Sequence, residues 1–259
     1  MKHLITTPIL AVLLGLFVIL PAQAQEADSL LLHGKRMMAA GLNTANLDQM
    51  REARALFERA ANDDHRAALA HYYVARTDHN LANLLAQHDE GGAVDHLDSA
   101  VEHLKKAIAL EASAEAYALL SSTYGRKISL KPLKGMFLGP KAGNALNEAK
   151  QLDPDNPRVV LTEAISDFNT PRMWGGSKAR AMEGFLRALD LFEQEDVADP
   201  LQPSWGHEDA YAWLGIAHLQ NDAREAARAA FEKALEINPD YGWVKYVLLP
   251  KLNSEAGSE

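Results

Sequence analysis

The sequence predicts an all-α fold, a right-handed solenoid of about five helix pairs with a C-terminal capping helix. One pattern, an alanine, three residues, a large apolar residue, two residues and a second alanine, recurs along the chain, and five widely spaced copies of it mark the predicted helix pairs, although Ala93/Leu97/Ala100 also fits. These offsets place all three side chains on one helical face, where a neighbouring helix can approach closely. The 16 glycines and 11 prolines are concentrated in a few connecting stretches, and the 47% hydrophobic content is enough for a sizeable core. The five copies are Ala53/Phe57/Ala60, Ala100/Leu104/Ala107, Ala142/Leu146/Ala149, Ala181/Phe185/Ala188 and Ala227/Phe231/Ala234.

The first 24 residues predict a signal peptide. Lys2 precedes an apolar run over residues 9–20, and Ala22-Gln23-Ala24 has the small residues that a signal peptidase recognises. We therefore expect cleavage after Ala24 and a periplasmic or secreted protein. The alternative is an uncleaved membrane anchor, but Thr6, Thr7 and Pro8 interrupt the apolar stretch that it would need.

Charge and cysteine content narrow the functional classes. The formal net charge of −9 argues against nucleic-acid binding, which favours a basic face. The chain has no cysteine, so an exported form would depend on packing alone, as stacked repeats can.

Five repeat units are predicted within a domain of residues 25–253, followed by a flexible tail of residues 254–259. The copies of the alanine pattern are spaced more widely than a repeat of about 34 residues allows, so the units carry insertions. We expect residues 127–141 to interrupt the third unit and residues 170–177 the fourth. A helix over residues 241–252 would cap the stack. The units are residues 28–62, 65–111, 114–154, 157–193 and 208–239.

The fifth unit resembles the tetratricopeptide repeat (TPR). Gly215 would let the first helix of the unit lie against the second, Phe231 would fill the space between them, and Pro239 would end the second helix. Only His218 departs from the pattern, at a position where tyrosine is usual. The matching residues are Tyr211, Leu214, Gly215, Ala227, Phe231, Ala234 and Pro239.

Two insertions resemble those of a group of exported bacterial TPR proteins, most of which have no assigned activity. That group has a "TP-x-M-aromatic-GG-x-K" turn, and this chain has Thr170-Pro171-Arg172-Met173-Trp174-Gly175-Gly176-Ser177-Lys178. The group also has a longer insertion, which matches Tyr124-Gly125-Arg126-Lys127-Ile128-Ser129-Leu130 and Gly139-Pro140-Lys141-Ala142-Gly143. A more distant resemblance is to the TPR component that accompanies TRAP-type solute transporters. These resemblances imply a fold and a compartment, and they assign no activity.

The glycine pair before Lys178 does not form a nucleotide P-loop, because the earlier glycine and the Gly-Lys-Ser/Thr order are absent. We expect a tight turn instead, with Ser177 as the N-cap of the next helix and Trp174 folded onto the helix pair.

The insertion over residues 126–141 is basic and has an apolar tip. It contains five cationic side chains and no acid. One hypothesis is that Lys131, Lys134 and Phe137 bind an acidic partner segment or an anionic ligand, since long insertions on repeat scaffolds often lie at binding faces. The alternative is that Phe137 and Leu138 pack into the solenoid while the lysines remain solvated.

Six histidines fall within residues 65–103, but their spacing does not match a metal site. No His-x3-His or His-Glu-x2-His spacing occurs, and His96 and His103 would be about 10 Å apart on one helix. We expect surface histidines, no metal and no cofactor. No nucleophile or nucleotide motif suggests catalysis, so we expect a protein that is not an enzyme.

The predicted function is a non-catalytic binding scaffold in the bacterial cell envelope. The first helices of the units should line a concave surface that holds a protein or peptide partner. The alternative is a small-molecule-binding accessory of solute uptake, in which residues 126–141 and 170–177 close over a ligand, with Tyr124 and Trp174 lining the pocket. An open groove would favour the scaffold. The residues expected on the concave surface are Ser122, Arg126, Ser166, Asn169, Ile216 and Gln220.

Overall fold

A computed structural model describes residues 22–256, and within that range the chain is helical with no strand, which confirms the all-α prediction. Nearly all of the predicted signal peptide and the last three residues lie outside the described residues. The helices are α1 (Ala22–Asn43), α2 (Leu47–Ala60), α3 (Ala67–Leu85), α4 (Glu90–Leu110), α5 (Ala114–Leu130), α6 (Gly135–Leu152), α7 (Pro157–Asn169), α8 (Lys178–Gln194), α9 (His207–Gln220), α10 (Arg224–Ile237) and α11 (Leu249–Ala256).

The helices form five antiparallel pairs, and each pair stacks on the next. Every odd-numbered helix from α1 to α9 packs most extensively against the helix that follows it, and α5, α7 and α9 also contact one another in sequence. This is the TPR-like solenoid that the repeated alanine pattern predicts.

The repeated pattern lies in the second helix of each pair. Phe57, Phe185 and Phe231 are fully buried, and so are the alanines on either side of each. The third copy is less buried, because Ala142 and Leu146 are only partly covered. Burying one large side chain between two small ones lets adjacent helices pack closely without a void.

Gly215 shows how close this packing is. A Cβ atom at this position would lie 2.3 Å from Cε1 of Phe231. The glycine of the repeat pattern therefore makes room for the phenylalanine of the second helix, as the sequence predicts.

The third unit departs from the prediction. Residues 127–141 do not interrupt its two helices, because α5 continues to Leu130 and α6 begins at Gly135, leaving only a short 3₁₀ turn, Pro132–Lys134. The start of α6 is held by Leu138 and Ala142, which are four residues apart and pack against the core. In the fourth unit the interruption between α7 and α8 is as predicted.

The C-terminal segment caps the stack. A turn of π-helix, Val244–Leu248, leads into α11, and the two pack against α10. Tyr241, Val244, Leu248 and Leu252 form the buried face of this cap.

The two ends of the solenoid meet, which the sequence does not predict. The side-chain amides of Asn43 and Asn238 hydrogen-bond each other at 3.2 and 3.4 Å. Gly242 lies against the carbonyl oxygen of Asn43, where a Cβ atom would be only 2.2 Å away. The helix pairs therefore curve into a closed ring around a central inner face.

Candidate functional site

The inner face of the ring is partly occupied by the chain itself. The 12 residues between α8 and α9, residues 195–206, cross it, and we call them the inner strap. Lys35 Nζ donates hydrogen bonds to the carbonyl oxygens of Pro200 and Gln202, each at 2.6 Å. The hydroxyl of Tyr73 donates to the carbonyl oxygen of Leu201 at 2.7 Å. Side chains of α1 and α3 thus hold the strap through its backbone.

Trp205 fixes the end of the inner strap. Its indole Nε1 donates a hydrogen bond to the hydroxyl of Tyr72 at 2.8 Å. The guanidinium carbon of Arg76 lies 3.4 Å from the centre of the indole ring, a close cation–π contact. The same side chain approaches Asp209 on α9 at 3.9 Å, so Arg76 and Trp205 link α3 to α9.

Arg158 anchors the beginning of the inner strap. It is only 1% exposed, and its Nη1 and Nη2 atoms donate to the two carboxylate oxygens of Glu195 at 2.5 and 3.0 Å. A buried guanidinium needs such a partner because desolvation of an unpaired charge is very costly.

Burial around the inner strap shifts the pKa of the groups that hold it. Burial lowers the pKa of Lys35 to about 8, although the charge of Asp199 opposes this shift. Burial raises the pKa of Tyr72 to about 12, so its hydroxyl stays protonated. Lys35 and Tyr72 therefore keep their protons at neutral pH. Lys35 donates its hydrogen bonds to the strap as a cation, beside the hydroxyl of Tyr73.

The rest of the inner face is not covered by the inner strap. The strap is held at Tyr72, Tyr73 and Arg76 and at Arg158, near the beginning of α7. None of its described hydrogen bonds, ion pairs or ring contacts reaches the residues that the sequence predicts for the concave surface. Those residues lie from the middle to the C-terminal ends of α5, α7 and α9, a region that we call the open half.

The open half presents polar side chains to solvent. Ser166 and Asn169 are exposed, as is Gln220. Among the described residues, the buried Nε of Arg126 and Nδ2 of Asn80 have no hydrogen-bond partner. Neither atom is exposed, so the polar groups that the open half presents to a partner are those of Ser166, Asn169 and Gln220.

Three other predicted residues of this face have internal roles. Ser122 is half-buried, and its hydroxyl lies 3.5 Å from that of Thr162. Ile216 packs against the core clusters on both sides of α9. The Nη1 of Arg126 donates to Ser129 at 3.0 Å.

The predicted ligand pocket over the two insertions is not supported by the geometry. Tyr124 is buried in the core, whereas Trp174 is 72% exposed, so the two rings do not line one cavity. The expectation that Trp174 folds onto the helix pair is therefore wrong. Lys131 pairs with Glu90, while Lys134 and Phe137 point into solvent. Leu138 packs against the core, but Phe137 does not.

The turn over residues 170–177 has the predicted cap. Ser177 accepts a hydrogen bond from the backbone N–H of Arg180, which confirms it as the N-cap of α8. Gly175 has a left-handed φ of 95°, and a Cβ at Gly176 would lie 1.8 Å from the carbonyl oxygen of Thr170. Both glycines are required by this turn.

Several histidines of residues 65–103 have structural partners, which corrects the expectation of surface histidines. His96 Nδ1 lies 2.7 Å from the carboxylate of the buried Asp78. His71 and His103 approach each other through their Nδ1 atoms at 3.0 Å. Across residues 22–256, no three metal-ligating side chains are grouped so that they could hold an ion.

His79 is a neutral imidazole between α3 and α5. Its Nδ1 lies 3.2 Å from the hydroxyl of Thr123, which itself donates to the carbonyl oxygen of Leu119. The imidazole must therefore carry its proton on Nδ1 and donate it to Thr123. Burial, aided by the charges of Arg76 and Arg126, lowers the pKa of His79 to about 3.

Acid should destabilise the protein through His79. The unfolded chain takes up a proton near pH 6.5 and the folded chain only near pH 3, so stability is lost as pH falls between these values. We expect a loss of about 1.4 kcal/mol per pH unit from this residue. Urea unfolding between pH 7.5 and 4.5 measures the slope. His79→Asn, which keeps the donor to Thr123, should flatten it; an unchanged slope would contradict the assignment.

Comparisons with known proteins agree with the fold. The family model "Tetratricopeptide repeat" matches residues 208–241, the predicted fifth unit. No curated protein sequence matches the chain. Among solved structures, the HusA haemophore from Porphyromonas gingivalis has a TM-score of 0.61 at 23% identity, over 75% of this chain and 94% of that one. TTC0263, a TPR protein of Thermus thermophilus, has a TM-score of 0.55 at 20% identity, over 87% and 97%.

These similarities define the class of protein, an all-α TPR-like solenoid. At such identities they establish the fold alone, so the function has to be argued from the inner face and the surface. Within the described residues, none of the helices has both the length and the apolar character needed to cross a membrane.

Proposed function

We propose that this protein is a non-catalytic scaffold that binds an extended segment of a protein partner on the open half of its inner face. One observation carries the proposal: the other half of the same face already holds a non-helical segment, the inner strap, which is irregular apart from a turn at residues 199–202. The strap is bound as a peptide would be, through side-chain donors to its carbonyl oxygens and a slot for one aromatic ring.

The open half continues this surface with the same chemistry. Ser166 and Asn169 are on α7, the helix whose second residue, Arg158, anchors the strap. The exposed hydroxyl of Ser166 and the side-chain amides of Asn169 and Gln220 suit the polar backbone groups of a partner chain. Hydrogen bonds to the backbone would provide affinity, and the few side-chain contacts would provide selectivity.

Export to the cell envelope is part of the proposal. The apolar run over residues 9–20, followed by Ala22-Gln23-Ala24, supports a signal peptide cleaved after Ala24, and the absence of cysteine suits a fold that depends on packing. The turn at residues 170–177 supports membership of the group of exported bacterial TPR proteins that share it.

Photo-crosslinking in cells that produce the protein tests the binding face. A photoreactive amino acid at Ser166, in the open half, should crosslink a specific partner protein, whereas the same group at Glu148, exposed on α6, should not. Replacing Arg126 by glutamine should weaken the crosslink about tenfold, the effect of losing one charged hydrogen bond. Equal products from Ser166 and Glu148, or none from Ser166, would reject the open half as the binding face.

A further inference from the structure

Two neighbouring loops expose large apolar side chains to solvent. Leu133, Met136 and Phe137 lie between α5 and α6 and in the first turn of α6, with exposed fractions of 96%, 79% and 72%. Met173 and Trp174 lie between α7 and α8, with exposed fractions of 83% and 72%. We call these five residues the apolar edge. Most soluble proteins expose such residues singly, and a group of them marks an interaction surface.

The repeat architecture places both loops at the same edge of the ring. Each loop connects the first helix of a unit to the second, and the units are consecutive. Because α5 and α7 pack side by side and run in the same direction, their C-terminal ends point to the same side.

The exposure of these side chains is built into the structure. In the second loop, Arg180 donates to the carbonyl oxygen of Gly175 at 2.6 Å and to both carboxylate oxygens of Asp167. This network and the two required glycines hold the turn that presents Met173 and Trp174. In the first loop, Leu138 and Ala142 anchor α6, which leaves Met136 and Phe137 on the outer side. Both sets of apolar side chains are therefore presented by fixed backbone.

The charge around the apolar edge is opposite to that of the protein as a whole. No acidic residue occurs in residues 116–147 or 168–182, although the chain carries a net charge of −9. Lys134, Lys141 and Arg172 are exposed and take part in none of the ion pairs described within residues 22–256. The edge is thus a cationic, apolar region on an acidic protein.

We propose that the apolar edge docks on the surface of an anionic lipid bilayer. Proteins that bind at the membrane interface combine tryptophan, phenylalanine and leucine with flanking lysine and arginine. The apolar side chains enter the boundary of the acyl chains, and the cations contact the lipid phosphates. The acidic remainder of the molecule would be repelled by the same surface, which fixes the orientation. The apolar edge adjoins the open half, because its two loops follow the C-terminal ends of α5 and α7, but it is formed by different residues.

A site-specific fluorescent label tests the contact directly. Because the chain has no cysteine, Met136→Cys and Met173→Cys each provide one attachment point for an environment-sensitive dye. Leu110→Cys and Tyr246→Cys are matched controls, since these apolar residues are also exposed but lie elsewhere. All four chains share the same N-terminus, so any binding through residues 9–20 is common to them.

With vesicles of equal parts phosphatidylcholine and phosphatidylglycerol, we expect dye emission to rise about twofold and shift to the blue at positions 136 and 173, and to stay constant at 110 and 246. Vesicles of phosphatidylcholine alone should give a much smaller change. Equal responses at all four positions, or no response at 136 and 173, would overturn the proposal.

Charge reversal provides the second test. Lys134→Glu with Arg172→Glu should weaken co-sedimentation with the anionic vesicles about tenfold, whereas Lys105→Glu with Arg36→Glu, which changes the net charge equally, should have little effect. Far-UV circular dichroism checks that both variants are folded. If the first pair instead abolished capture of a protein while vesicle binding was unchanged, the edge would be a protein interface and the membrane proposal would fail. Arg126→Gln, in the open half, should leave vesicle binding intact.

Discussion

Replacing Asp78 by alanine should destabilise the protein by about 3 to 5 kcal/mol, the cost of breaking a buried ionic network. The carboxylate is fully buried on α3 and accepts three hydrogen bonds, from Arg54 Nε at 2.8 Å and from His96 Nδ1 and Ser99 Oγ at 2.7 Å each. These donors come from α2 and α4, so one side chain joins three helices of the first two units.

The pKa of Asp78 shows that the network favours the charged form. Burial alone would raise this pKa, but hydrogen bonds from His96, Arg54 and Ser99 lower it below its ordinary value. Removing the carboxylate therefore leaves the half-buried Arg54 without its main counter-charge and two further donors without an acceptor.

Urea unfolding of Asp78→Ala and of Asp48→Ala measures this difference. Asp48 is a matched control because it also pairs with an arginine, Arg51, but its side chain is 88% exposed. We expect the control to lose less than about 1 kcal/mol, as exposed ion pairs usually do. Similar losses in the two variants would show that the buried network contributes little.

The helix pairs were predictable because their determinants are local. Amphipathic spacing depends on residues three and four positions apart, and the contact of Gly215 with Phe231 lies within a single helical hairpin. Alanine, leucine and glutamate also favour helix wherever they occur, so the pattern and the intrinsic preferences agree.

The inner strap was not predictable in the same way. Asp199, Pro200 and Pro203 indicate a loop, and its partners Lys35 and Tyr73 are far away in the sequence. Only its composition gave a signal: a leucine and a tryptophan stand in a linker of 12 residues, whereas the linkers between the other units are shorter. A large apolar residue in a long linker suggests that the linker is packed against something, without indicating what.

Among the candidate binding residues too, features set by local helical spacing were predictable and features set by loop conformation or packing between units were not. Ser166 and Asn169 lie on the exposed part of α7, where helical spacing from buried residues such as Phe168 places them. The orientation of Trp174 depended instead on the backbone of one tight turn, and burial of Tyr124 depended on packing between units. Local periodicity determines the face of a helix, but it does not determine how a loop points or what covers it.

Replacing Trp205 by alanine should destabilise the protein by about 2 to 4 kcal/mol, because the indole is a half-buried aromatic ring with two specific partners. The variant loses the hydrogen bond to Tyr72 and the stacking on Arg76. Tyr72 and Arg76 would then line an empty slot on the inner face, and the inner strap would keep only its contacts at Glu195 and at residues 200–202.

The exposed Trp174 offers a matched control for this substitution. Trp174→Ala removes the same side chain from a solvent-exposed turn and should change stability by less than about 0.5 kcal/mol. Urea unfolding compares the two variants, and limited proteolysis measures access to residues 195–206. We expect faster cleavage within the strap of Trp205→Ala, since local opening exposes its backbone, and unchanged cleavage in Trp174→Ala. If Trp205→Ala were as stable in urea and as resistant to proteolysis as Trp174→Ala, the inner strap would not depend on this indole.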